Sequence, residues 1–500
     1  MKTLARLITL VAFGLVALVA HAQGQSTSYL VVLKGNGPAV ASFERQVGKA
    51  GGSVTTLVEQ IGVAFVSSAQ PGFKSTLQKL RGVQSVAYNV PVPRELSRHV
   101  AFSPEPQNVV GGSDETFAAL MWGLDAVNAP QAWAAGATGA GVRVAVLDSG
   151  IDHDNLDLVS NINQDLSRSF LPCQEPAPGF GNCDGPFEDW KVREGRFFNH
   201  GTHVSGTIAA ADNAFGGIGV APDAEIVAVK VCTEFDSFCL DEAILPGIVY
   251  AASIRADLIN MSLGGLFDRN PSDICKFIRD FDIPVPCGEV VSETQAIISA
   301  YRRAFQFAKA HGTTVIVSAG NAGLDADRSG SLGFAFADMP NVLGISALGP
   351  VGLALPAVFG DAPDAPLAGP DTLADYSNHG RSIIDFGAPG GSFQLADEQA
   401  ALGQDPFASV CLAGGFLLPC ALFDTVLSNS AGDSFFFATG TSMAAPHATG
   451  VAAVIIGLNG GDMAPERLRT AMKRYADDLG QPGHDKDFGD GRVNAGAATE

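Results

Sequence analysis

Cysteine is absent from the first 172 residues of this 500-residue chain, tryptophan occurs only three times, and charged residues make up just 17%. With a hydrophobic content of 46%, that low charge excludes a disordered polyelectrolyte and leaves a loop-rich globular protein. Basic residues are scarce as well, 31 Lys and Arg against 52 Asp and Glu, for a net charge of −21. The imbalance is uneven: residues 1–100 hold ten basic and three acidic residues (+7), and the remaining 400 hold 21 and 49 (−28). An acidic body repels nucleic acid and anionic membranes, so neither is an expected partner. CxxC pairs and an HExxH helix are both missing, which removes the common structural-zinc and zinc-peptidase patterns. Long apolar runs are missing too, except for Leu7–Ala20, so no membrane anchor is expected. That one run follows Lys2 and Arg6 and ends in Ala20-His21-Ala22, a small-x-small cleavage pattern. Residues 1–22 therefore read as an export signal, and a secreted, extracellular location follows.

The eight cysteines that are present fall into near neighbours: Cys173 and Cys183, Cys232 and Cys239, Cys275 and Cys287, Cys411 and Cys420. An even count in an exported chain suggests disulfides, and this clustering favours four local loop staples.

Residues 23–95 read as a small unit of strands (Tyr29–Leu33, Val63–Val66, Val83–Val90) and helices (Pro38–Ala50, Phe73–Arg81). No catalytic grouping falls in it. Residues 96–115, within a Pro- and Gly-rich stretch that begins near Pro91, read as an exposed linker and processing region. From 116 to 500, short apolar strands (Val142–Leu147, Ile226–Val231, Leu258–Met261, Thr314–Ser318, Val342–Ser346) alternate with helical patterns such as Leu240–Ile254 and Glu293–His311. That order predicts an α/β fold, a mostly parallel sheet covered by helices on both faces. Sites in such sheets form beyond the carboxyl ends of the strands, which selects Asp148, Ser262 and Asn321.

Each of these residues has an ordinary reading beside a chemical one. Asp148 can simply open the turn before Gly150. His200, with His203, forms an H-x-x-H pair able to hold a metal, or can stand alone as a base at a helix start; Gly201 and Gly206 let that helix pack closely. Ser442 can be a helix cap. It opens Ala444–Leu458, a run with no acidic or basic residue, and its surroundings at the helix start are rich in N–H donors.

Taken together, five runs resemble the subtilisin family of serine peptidases: Val146–Asp152, His200–Thr207, Asn260–Gly265, Ala319–Asn321 and Gly440–His447. They occur in the family's order, Asp, His, Asn, Ser, and the resemblance spans about residues 120–498. It implies a serine endopeptidase with Ser442 as nucleophile, His200 as base, Asp148 as its partner, and Asn321 with the Ser442 N–H as oxyanion hole. It also implies that Ser262, Leu263 and Gly264 pair with the substrate backbone, and that Ala319 and Gly320 line a pocket for an apolar or neutral side chain. Residues 23–95 resemble the family's inhibitory propeptide. Polypeptide substrates and the chain's own propeptide are then the partners, a self-processed zymogen the expected form, and a monomer the expected state. No cofactor is required for the chemistry. Asp157 matches a family calcium ligand, so a structural calcium ion is an expectation. Two stretches depart from the family pattern, Leu266–Val290 and Gly391–Phe437, each with two cysteines beside the matched runs.

Overall fold

The computed structural model describes residues 26–35, 39–89, 91–93, 97–102, 116–171, 190–234, 238–268, 287–330, 332–334, 336–355 and 368–500. The expected export signal, most of the 96–115 region, and Cys173, Cys183 and Cys275 lie outside them.

The leading unit is a four-stranded antiparallel sheet in the order Ser53–Val58, Val63–Ser68, Thr27–Leu33, Val83–Tyr88. Side chains alternate across a strand. Tyr29, Val31 and Leu33 accordingly pack with Phe43, Val47, Phe73 and Leu77 beneath the unit's own helices, Ala39–Lys49 and Phe73–Gln78. Leu30 and Val32 point the other way and join Val63 and Phe65 in a core shared with the large body. Both faces are covered, which is why this strand is apolar at nearly every position. The Ser53–Val58 strand has no counterpart in the sequence reading, because its polar, half-buried pattern carries little period-2 signal.

The body is built on a seven-stranded parallel sheet. Its order is Phe386–Pro389, Val342–Leu348, Thr314–Ser318, Leu258–Met261, Arg143–Asp148, Glu225–Lys230, Arg168–Ser169. The order of strands switches sides at Arg143–Asp148: Arg168–Ser169 and Glu225–Lys230 lie to one side of it, and Leu258–Met261 and the strands after it to the other. A crevice opens at such a switch point. Helices cover both faces, as expected for this class. Asp241–Ser253 and Cys287–Ala310 lie on the face that receives the leading unit, and His200–Ala209 and Thr441–Leu458 pack together on the opposite side.

Thr441–Leu458 corrects one expectation. Its 18 residues, with mean hydropathy 1.4, are long and apolar enough to cross a membrane, yet 89% of that span is buried inside the protein. It is the central core helix, and its apolar surface is consumed by the sheet and by the neighbouring helix.

Part of the expected linker, and the segment just before it, is paired with the body. Pro91–Pro93 pairs antiparallel with Phe238–Leu240, and Arg98–Phe102 pairs with Ser434–Thr439, which in turn pairs with Val426–Ser430. Proline favours an extended backbone, and a segment with only Val92 to offer an N–H can still dock on a sheet edge. Two expected disulfides are present, Cys232–Cys239 and Cys411–Cys420. Cys287 opens the Cys287–Ala310 helix.

Candidate active site

Three strand ends and two helix starts meet at the crevice. Asp148 is the last residue of its strand and is 1% exposed. A buried carboxylate needs donors, and it receives the Ser149 N–H at 2.7 Å and faces His200 Nδ1 with both oxygens at 2.9 Å. Nδ1 therefore carries the hydrogen and donates, which makes Nε2 the basic nitrogen of the ring. His200 is the first residue of its helix, capped by Asn199, whose Oδ1 accepts the Thr202 N–H at 2.8 Å. Gly201 allows the close approach: a Cβ there would lie 2.2 Å from the Gly150 carbonyl oxygen.

The metal alternative for the H-x-x-H pair fails on geometry. His203 donates from Nε2 to the Phe436 carbonyl at 3.0 Å, and among the described residues the pair is not part of a group close enough to share an ion. Burial pushes its imidazole down to about 3, so it stays neutral.

Ser442 lies in the first turn of the Thr441–Leu458 helix and is 3% exposed. Its hydroxyl donates to the Ser262 carbonyl at 3.2 Å, a long bond that a turn about χ1 can redirect toward an acceptor in the crevice. The Ser262 side chain has a different task from the backbone pairing expected of it. It donates to the Ser442 carbonyl at 2.9 Å and accepts from Asn260 Nδ2 at 3.0 Å, and Asn260 Oδ1 accepts from Thr449 at 2.9 Å. This chain of hydrogen bonds fixes the start of the serine helix to the strand end beside it. Pro91–Pro93 of the leading segment pairs with Phe238–Leu240. Leu263 is 2% exposed and packs into the body's core.

Asn321 follows Ala319 and Gly320 at the end of the Thr314–Ser318 strand. Its Oδ1 accepts both the Thr441 N–H and the Thr441 hydroxyl at 2.8 Å. A backbone donor on that side fixes which end of the amide is oxygen, so Nδ2 faces the other way. Gly320 N–H completes the set by donating to Thr441 Oγ1 at 3.0 Å. A Cβ on Gly440 would lie 3.4 Å from Asn321 Nδ2 and 3.6 Å from Ser442 N, so two donors border one small space that glycine keeps empty. Gly440 has φ 155°, a conformation side chains disfavour. Thr441 and Gly440 are thus functional positions that motif reading passed over; their signal was only adjacency to Ser442.

Asp157 is fully buried, and its Oδ2 accepts from Gly217 N–H at 2.9 Å and Asn429 Nδ2 at 2.8 Å. These two bonds tie the Asp157 loop to the Gly217 and Asn429 segments. Asp152, His153 and Asp154 are the group close enough to share an ion among the described residues.

A twisted parallel sheet with a carboxylate-held imidazole and a serine at a helix start across the crevice defines a serine endopeptidase. The sequence profile of the subtilase family matches residues 139–491, and the chain belongs to that family. It is 29% identical over 381 residues to subtilisin Savinase of Lederbergia lenta, covering 76% of this chain and 98% of that one. The 32% identity to subtilisin E of Bacillus subtilis extends over 251 residues, 49% of this chain and 55% of the relative. Among solved structures, the epidermin leader peptide processing serine protease EpiP of Staphylococcus aureus is similar, with a TM-score of 0.71 and 19% identity, covering 95% of this chain and 98% of its own. Fervidolysin of Fervidobacterium pennivorans gives a TM-score of 0.60 at 22% identity, covering 95% and 61% respectively. At these identities the structural likeness speaks for the fold alone.

Proposed function

We propose that this chain is a secreted serine endopeptidase made as a self-processed zymogen. Ser442 attacks the peptide carbonyl and forms the acyl-enzyme. His200 Nε2 takes the serine proton and returns it to the leaving amine, and Asp148 holds the imidazole in the required tautomer and stabilises its cation. Asn321 Nδ2 and the Ser442 N–H receive the oxyanion, each such donor lowering the barrier by roughly 2.7–4 kcal/mol. Ser262, Leu263 and Gly264 lie along the substrate backbone, and Ala319 and Gly320 beside the side chain before the cut bond. No cofactor takes part in these steps.

The segment of residues 23–95 acts as an intramolecular inhibitor. Its docking face supports this role: Glu242, 2% exposed at the start of a body helix, accepts from Thr56 Oγ1 at 2.9 Å and Asn89 Nδ2 at 3.1 Å, and Arg303 donates to the Leu33 and Ile61 carbonyls at 2.9 and 3.0 Å. The observation that carries the peptidase reading is the Asp148–His200 pair, buried and held at 2.9 Å. The test is Ser442→Ala: this protein should lose residues 1–22 and then stay uncleaved, while the wild type releases its leading unit and is labelled at Ser442 by an organophosphonate. Efficient maturation of purified Ser442→Ala without added protease would refute self-processing.

A further inference from the structure

Two strands of the leading segment approach the crevice from opposite sides. Pro91–Pro93 lies on Phe238–Leu240, and Arg98–Phe102 lies on Ser434–Thr439 in a five-residue register that sets Arg98 opposite Thr439. Between them, Ser97 is 7% exposed, and its Oγ lies 3.1 Å from where a Gly440 Cβ would be. That position is the one bordered by Asn321 Nδ2 and Ser442 N–H. Ser97 thus sits at the oxyanion donors, and Arg98–Phe102 leave it along the Ser434–Thr439 side.

Arg98 is the second residue on that side. Its guanidinium donates to Asp397 Oδ2 at 2.6 Å and lies 4.6 Å from the centroid of the Phe393 ring. Phe393 is 3% exposed, so it is a fixed floor. Asp397 is held above it on the Gln394–Ala401 helix, whose start is pinned by Ser392: Ser392 Oγ accepts the Gln394 N–H at 3.0 Å, and Ser392 N–H donates to the Asp424 carbonyl at 2.8 Å. Leu395 and Ala396 anchor the same helix in the core. All of these residues belong to the Gly391–Phe437 stretch that departs from the family pattern. A carboxylate over an aromatic floor is a receptor for a cation, and most for a planar guanidinium.

We propose that this stretch builds a specificity subsite: Asp397 and Phe393 select a basic residue at the second position after the cut bond, and Ser97 becomes the new N-terminus at the first self-cleavage. The inference rests on the peptidase reading above. Asp397 and Arg98 are each 55% exposed, so the gain is that of a rim ion pair plus a cation–π contact, about five- to tenfold in kcat/KM. Because the contact is far from the reacting carbonyl and is present in ground and transition states alike, it belongs in KM.

The test uses the mature enzyme and a set of fluorogenic peptides differing only in Arg, Gln or Glu at that position. Wild type should prefer Arg over Gln by about five- to tenfold. Asp397→Asn should lower the ratio to about two- to threefold, the share left to the Phe393 ring, whereas Glu398→Gln, the same charge removed from the next residue of the helix, should preserve it. A ratio near one in the wild type, or equal losses in both variants, would overturn the subsite, the latter assigning the preference to the acidic body as a whole. A first cleavage product that begins elsewhere than Ser97-Arg98 would overturn the placement of the strand. Failure to cut any peptide in the set would refute the peptidase reading itself, and this inference with it.

Discussion

Thr441 supplies the most direct check on how the oxyanion donors are aimed. Its hydroxyl donates to Asn321 Oδ1 at 2.8 Å and accepts from Gly320 N–H at 3.0 Å, so Thr441→Val keeps the shape of the side chain and removes both bonds. Asn321 then keeps only the Thr441 N–H, also at 2.8 Å, to hold its oxygen. Complete loss of an oxyanion donor costs roughly 2.7–4 kcal/mol, and one neutral hydrogen bond is worth about 1 kcal/mol. Loosening Asn321 by one such bond should lower kcat about fivefold to tenfold with KM changed far less. Steady-state kinetics of the mature enzyme on a chromogenic peptide measures this. The decisive control is the double variant: Asn321→Ala alone should lower kcat by about 10²–10³, and adding Thr441→Val should then change kcat little, because the group it positions has gone. An unchanged kcat in Thr441→Val would refute the reasoning. So would a full multiplicative loss in the double variant.

Gly440→Ala should lower kcat at least as far as Thr441→Val and reduce stability by about 1–3 kcal/mol, since it forces a side chain into φ 155° and places Cβ between the two donors; thermal unfolding and kcat of the same preparation check both. The buried His203 predicts a pH effect. Burial holds its folded value at about 3, below the ordinary 6.5, so its contribution is present above pH 6.5 and is lost as pH falls toward 3. Relative to His203→Gln, the wild type should lose about 2 kcal/mol between pH 8 and pH 5 by urea unfolding, and a pH-independent difference would sink the assignment. Replacing Cys411 and Cys420 by Ser opens a link across a separation of 9 residues and should cost about 2–3 kcal/mol. Because that hairpin belongs to the stretch that carries Asp397, limited proteolysis should show its cleavage before global unfolding.

The strands of the large sheet were legible because a strand buried on both faces is apolar throughout, as in Arg143–Asp148 with only Arg143 not fully buried. The helix at Thr441–Leu458 was legible for a related reason, though its composition alone does not distinguish a core helix from a membrane span. Ser53–Val58 escaped notice because its face is half-buried. The two docked strands of the leading segment escaped because extended pairing on another element's edge depends on partners more than 140 residues away in sequence.

By itself, the sequence determined the chemical inventory: a serine, a histidine, an aspartate and an asparagine, each beside glycine and small residues at an element boundary. Those local choices are dictated by backbone conformation and close packing, which short motifs record. Only the tertiary structure decided what each group faces. It gave His203 to a carbonyl rather than a metal, turned the Ser262 side chain to the serine helix, bound Asp157 to N–H donors, and placed Asp397 beside Arg98. Hydrogen bonds and ion pairs across such separations depend on where the fold brings the elements together, and no local pattern encodes that.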